Sequence, residues 1–327
     1  MNTNVFDQLH SEGFISGDSY EKIQLQRNKA LVSVHWEIKT LLYLGILLFS
    51  AGLGTLVYKN IDSIGHQITL LFIALVCTGC CYYCFKNKLP FSTGKVVAPN
   101  SFFDYVLILA CCTFLTFIAY LQFQYNLFGN RYGLAIFFPM LLLFFYAYYF
   151  DHAGVLSMAI VNLAAWVGIT ITPLQVLTSN DFNTSPVIFT GIALGIFLMI
   201  IAWATRKMSI KDHFEFTYAN FGTHILLISL LAALFHFEIL NIIWFLSLVI
   251  SSYFLYRKAV LNSSFYFVLV IAFYVYIGTS YVVLNFLDRL SGFNEGSLYA
   301  AFFYFIISGI VLALFLIRCN KKLKETC

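Results

Sequence analysis

Long apolar runs alternate with brief polar connectors along most of the chain. The runs cover residues 40–58, 66–85, 103–121, 132–149, 154–171, 187–204, 219–236, 240–256, 264–284 and 298–317. Each approaches or reaches the roughly 20 residues that a helix needs to cross the hydrocarbon layer of a bilayer, and the connectors are too short to hold domains. The pattern predicts an all-α integral membrane protein, a bundle of about ten transmembrane helices. The connectors at 149–154 and 236–240 are the tightest, and the turn at Asp151 and His152 is so short that spans four and five must be adjacent and antiparallel.

The segment ahead of the first run has a different period. VFDQLHSEG reads as a short helix closed by Gly13, and Asp18 with Glu21 gives a capping-box pattern for a second helix after the turn FISGD. Tyr20, Ile23, Ala30, Leu31, Val34 and Ile38 then recur at roughly helical spacing, giving that second helix an apolar face. The expected organisation is an amphipathic helical hairpin at 1–39, a ten-span membrane domain at 40–318 and a basic tail at 319–327. The apolar face of the hairpin offers a surface for packing on the bundle, for the membrane interface, for a partner protein or for self-association.

Composition agrees with the pattern. Of 327 residues, 61% are hydrophobic and 10% charged, and the mean hydropathy is +0.83, far outside the range of a soluble domain. A mixed-charge segment precedes the first run near Thr40, so no cleavable leader is expected. Charge then fixes an expected orientation, because Lys and Arg near span ends are retained on the cytoplasmic side. With ten spans, sixteen of the nineteen basic residues fall in one alternate set of connectors; only Lys59, Arg131 and Arg289 fall in the other. Both termini are therefore expected in the cytoplasm. The net charge of +4 is explained by this asymmetry and by anionic lipid head groups, and calls for no nucleic acid.

The leader LHSEGFISGDSYEKI, the Gly-rich first span LGILLFSAGLG and the following YKNIDSIGHQI resemble the bacterial membrane-protein family called domain of unknown function 2157. In that family a Gly-hydrophobic-Ser turn precedes the span, and the loop after it resembles Ala-Asn-Trp-Asp-x-Ile-Pro. This chain keeps Asn60, Asp62 and Ile64 and departs at Lys59, Ile61 and Gly65. YYFDHAGVLSMAIVNLAAWVGI, 148–169, resembles the family's tight turn and the Ala-rich span after it. The resemblance covers roughly the first half of the chain. It implies a multi-pass protein of the bacterial inner membrane and brings no known activity with it.

Candidate chemistry within the bilayer is sparse. All fifteen acidic residues fall in connectors, tails or span ends, with Asp104 and Glu238 nearest to exceptions. Ion coupling through a buried carboxylate and hydrolysis by paired carboxylates are both unsupported. No phosphate loop, HExxH or nucleophile elbow appears, so no enzyme is expected, and nothing calls for a cofactor. The neutral polar and aromatic residues Asn162, Trp166, His224, Tyr274, Tyr276 and Thr279 are the candidates for lining a substrate cavity, packing being the competing role. His236 and Glu238 form a polar pair at the outer end of span seven. Asp151 and His152, with Asn60 and Asp62, read as turn or helix-cap residues, Asp151 being placed to cap span five.

CTGCCYYC, 77–84, places four cysteines within about 100° of arc on one helix face. Cys77 and Cys84 stand about 10 Å apart along the axis, too far to share one zinc ion with metal–sulfur bonds of about 2.3 Å. No metal site is expected, Cys77, Cys80 and Cys111 being the lesser candidates if spans two and three meet through these faces. Packing is the favoured role and redox sensing the other alternative, since an apolar, reducing setting makes cysteine a small hydrophobe. Two functions follow as expectations: a transporter or facilitator of a small neutral or amphiphilic molecule, or a non-catalytic scaffold or stress sensor acting through residues 1–39. Membrane lipids are the expected partners in either case.

Overall fold

The computed structural model describes residues 9–10, 12–20, 35–96, 99–171, 184–237, 240–292 and 295–325. Among these the secondary structure is helical throughout. Ten long helices follow one another: α1 (His35–Ile64), α2 (His66–Asn87), α3 (Ser101–Tyr125), α4 (Tyr132–Phe150), α5 (Ala153–Ile171), α6 (Ser185–Met208), α7 (Phe214–His236), α8 (Asn241–Leu261), α9 (Phe265–Ser291) and α10 (Glu295–Glu325). Nine of them, α2 to α10, are long and apolar enough to cross a membrane, and α1 contributes the shorter apolar stretch Thr40–Thr55. The predicted helical membrane bundle is what forms.

The chain divides into two compact units, Met1–Leu56 and Val57–Cys327. In the first, Gly13 adopts φ +76°, and the amides of Gly13 and Phe14 donate to the carbonyls of His10 and Leu9 at 3.1 and 3.0 Å. This pair of bonds is a Schellman closure, which requires the left-handed residue that glycine supplies most cheaply. The cap of the next helix is Ser16 rather than Asp18: its Oγ accepts from the Ser19 amide at 3.4 Å. His10 and Tyr20 stack across the turn with ring centroids 4.2 Å apart. Residues 1–8 and 21–34, which carry the rest of the expected hairpin and its apolar face, lie outside the described residues.

α1 continues past Asn60 and Asp62 to Ile64, so these two stand within a helix and the expected loop contracts to Gly65, at φ +83°. Nothing in KNIDSI breaks a helix before that glycine. α10 likewise runs past residue 318, and 319–325 continue the helix.

Within the second unit the strongest pairings are the antiparallel hairpins α2–α3, α4–α5 and α6–α7. One buried cluster joins α2 to α7 around Leu107, Leu143, Val155, Leu198 and Phe214. A second joins α7 to α10 around Leu227, Leu234, Leu248 and Val268. α7 belongs to both and is the most enclosed helix, whereas α10 is the least. The outward faces are rows of Leu, Ile, Val and Phe, which puts lipid around the bundle.

Candidate functional site

Residues 88–96, 151–152 and 209–213 meet at one end of the bundle, which also carries Lys86, Arg206, Lys207 and Lys258. Asp151 occupies the left-handed region at φ 57°, and its own amide and that of His152 both donate back to Ala147 O at the close of α4. Its side chain points away from α5. The expected cap role therefore falls to His152, whose Nδ1 accepts from the Val155 amide at 3.1 Å. With Nδ1 used as an acceptor, the ring proton sits on Nε2, 3.7 Å from Asp104 Oδ1 at the start of α3.

The Asp151 carboxylate is 2% exposed and is surrounded by donors. Lys211 Nζ lies 3.0 Å from Oδ2, and the Val96 amide donates to the same oxygen. His213 Nε2 approaches Oδ1 to 2.8 Å, though off the line of a hydrogen bond. Lys211 is itself only 1% exposed; its amide donates to Thr93 O at 2.7 Å and its Nζ to Gly94 O at 3.1 Å. A cavity of about 20 Å³ beside the pair, lined by Lys88, Phe91, Tyr149 and Asp151 among others, has room for one water molecule. A buried carboxylate and ammonium need such partners, because neither has bulk water. The arrangement clamps three connectors together at one end of the bundle. Sequence reasoning missed Lys211, which counted only as connector charge, and His213, which it did not single out. The available signal was the repeated Asp-His in FDHA and KDHF, two turns assigned to the same side.

The cavity candidates separate into three places. Asn162 turns its amide to its own helix, Nδ2 donating to Met158 O at 2.9 Å. Trp166 packs on Phe137, ring centroids 5.3 Å apart, beside Gly133, and so joins α4 to α5. His224 and Tyr274 come together: Nδ1 lies 2.9 Å from the Tyr274 hydroxyl, Nε2 lies 3.2 Å from the Tyr266 hydroxyl, and that hydroxyl donates to Asn220 Oδ1 at 2.8 Å. Because Tyr266 gives its proton to Asn220, it accepts from Nε2–H, and Nδ1 accepts from Tyr274. This is a polar ladder between α7 and α9.

Tyr276 and Thr279 line a groove of about 740 Å³ between α8, α9 and α10, open on one side. Val, Ile, Leu and Phe make up half of its wall, and Tyr253, Tyr256, Tyr276 and Tyr304 supply much of the rest. Tyr276 and Ser308 approach to 3.2 Å, and Ser280 and Tyr304 to 3.1 Å. Ser252, in the middle of α8, also lines it; it is 4% exposed, and its hydroxyl has no hydrogen-bond partner among the described residues. Missing this residue was natural, since serine inside a span ordinarily bonds its own helix.

The cysteine stripe faces α3 and α4. Cys77 Sγ lies 3.8 Å from Ala110 O, and Cys81 Sγ lies 3.5 Å from the Tyr146 hydroxyl. Cys84 and Cys111 are buried in the α2–α7 cluster, and the seven described cysteines are all free thiols. His236 Nε2 sits 3.1 Å from Ser185 Oγ, while Glu238 lies outside the described residues. Among the described residues no group of three or more His, Cys, Asp and Glu is gathered to hold a metal.

Residues 7–156 match the family described as predicted membrane protein, DUF2157, in agreement with the resemblance read from the leader, the first span and the 148–169 segment. The match ends just past Asp151 and His152, so Lys211, His213 and the α8–α10 groove lie beyond it. No curated protein and no solved structure matches the chain.

Proposed function

We propose that this membrane protein, whose first half carries the pattern of a family without an assigned activity, is a facilitator for a small neutral amphiphile that enters the α8–α10 groove. The supporting observation is Ser252: a buried hydroxyl without a partner among the described residues, on the wall of a largely apolar groove of about 740 Å³. An unpaired buried hydroxyl costs about 1–3 kcal/mol, and a ligand carrying one hydroxyl or carbonyl at that depth would remove the cost. The volume falls within the range of small-molecule sites, and the Tyr276–Ser308 and Ser280–Tyr304 pairs supply further polar contacts. The groove contains no charged side chain, which suits a neutral ligand.

The test is transbilayer movement of a fluorescent monoacylglycerol in proteoliposomes, followed by dithionite quenching of the outer leaflet. Wild-type protein should accelerate loss of the protected inner pool, and Ala272→Trp, which fills the groove wall, should abolish the gain. Rates equal to those of empty liposomes would end this reading. On the same reading the protein resides in the bacterial inner membrane with both termini in the cytoplasm, and residues 1–39 are an accessory to the membrane domain.

A second reading rests on Phe14, which is 77% exposed at the tip of the closed turn in the N-terminal unit. It makes residues 1–39 the docking element of a scaffold or stress sensor. Deleting 1–39 separates the two, since a facilitator keeps its transport and a scaffold loses its cellular effect.

A further inference from the structure

Beyond the groove, and independently of it, we propose that the pocket between α6, α7, α8 and α9 binds an anionic amphiphile, with a phosphate or carboxylate head at Lys258 and an apolar portion against Met199, Phe267 and Ile271. The pocket measures about 390 Å³ and opens at the end of the bundle where α6 and α8 finish and α7 and α9 begin. It is divided by chemistry. Glu215, Lys258, Asn262, Ser263 and Ser264 line its polar part, and Met199, Ala219, Phe267 and Ile271 its apolar part.

The charge at the mouth is unbalanced. Lys258 Nζ and Arg206 Nη1 both approach the same oxygen, Glu215 Oε1, at 3.4 and 3.6 Å. Two cations share one carboxylate, leaving an excess positive charge on side chains that are 36% and 59% exposed. Arg206 is also held by Asn262 Oδ1 at 3.2 Å, so Lys258 is the cation with more freedom to meet a ligand.

The backbone adds to this. Ser263 takes φ 50°, and the amides of Ser263 and Ser264 close α8 on Val260 O and Ala259 O at 3.0 and 2.9 Å. α9 then begins immediately at Phe265 without a side-chain cap. Its first-turn amides, beside the pocket wall formed by Ser264 and Phe267, carry the partial positive charge of a helix start. Lys258, the uncapped start of α9 and an apolar interior together favour a ligand that is anionic at one end only.

The test uses full-length protein in nanodiscs of phosphatidylcholine, titrated with dodecyl phosphate, dodecanol or inorganic phosphate and read by thermal shift and native mass spectrometry. Dodecyl phosphate should bind one per chain, with dodecanol and inorganic phosphate each weaker by about tenfold or more, the size expected for loss of a charge-assisted contact. Lys258→Ala should weaken dodecyl phosphate by at least about tenfold, while Arg257→Ala, an equal charge loss on the neighbouring exposed residue, changes it less than about twofold. Ala219→Leu, which fills the apolar part, should abolish binding with the helical spectrum unchanged. Repeating the titration with phosphatidic acid in the nanodiscs identifies the source: competition points to a membrane lipid, and its absence to a soluble single-chain anion. Equal loss in Lys258→Ala and Arg257→Ala would reduce the effect to surface charge and overturn the site. Inorganic phosphate binding as tightly as dodecyl phosphate, or no dodecyl phosphate bound by the wild type, would overturn it as well.

Discussion

At Asp151 one backbone angle decides what a side chain does. The left-handed φ of 57° turns the carboxylate from the first turn of α5 toward Lys211 and Val96, so the residue that reads as a cap becomes the centre of a buried ion pair. Removing one partner leaves the other charged and enclosed, a loss of about 3–5 kcal/mol for breaking a buried pair. Asp151→Leu and Lys211→Met should each lower the free energy of SDS-induced unfolding of the purified protein by that amount. The double variant Asp151→Leu with Lys211→Met should recover at least half of the loss; strict additivity of the two singles would show that the pair is not coupled. The cysteine stripe makes the opposite case. The quadruple variant of Cys77, Cys80, Cys81 and Cys84 to Ala should still fold, with Cys84, at 1% exposure, carrying most of a loss of about 1 kcal/mol. Metal analysis of wild type and variant should show the same result, and stoichiometric metal in the wild type alone would reassign the stripe.

Among the helices, α6 and α7 show how small residues set a crossing. Gly191 and Gly195 are four apart on α6, and a Cβ on Gly195 would stand 2.7 Å from the backbone nitrogen of Leu226. Gly222 on α7 is similarly filled by Met199 from α6. Backbones this close gain van der Waals contact where lipid gives helices no hydrophobic reason to associate. Gly195→Ala must displace a backbone and should cost about 1–3 kcal/mol, the usual scale of overpacking. Gly79→Ala, with nothing within 4 Å of its Cβ, should be neutral or mildly stabilising, since alanine is the better helix former. Comparing the two SDS midpoints checks the assignment. Spacing four apart was visible in FTGIALG, but which helix would approach that face was not.

For the whole molecule, the apolar runs state the helical membrane architecture in advance, and the charge asymmetry adds an expected orientation. Cysteine labelling can check the orientation: in a background without native cysteines, Asn130→Cys should react with an impermeant maleimide in intact spheroplasts, and Lys95→Cys only after lysis. The reverse pattern would invert the topology. The order and approximate placement of the ten long helices among the described residues were legible in the sequence because each span must satisfy its own backbone hydrogen bonds within the bilayer, a requirement met locally by about 20 apolar residues, whereas the extensions of α1 and α10 beyond their apolar runs were not. The closure at Gly13 and the tight α4–α5 turn were legible for the same reason, being decided within a few residues. Tertiary structure alone decided which polar groups meet. Asp151 and Lys211 are 60 positions apart in the chain. The groove and the Lys258 pocket are spaces between helices, so they exist only once α6 to α10 have packed. The hydroxyl of Ser252 became informative in the same way: whether it finds a partner depends on side chains that other helices bring, or fail to bring, to its face.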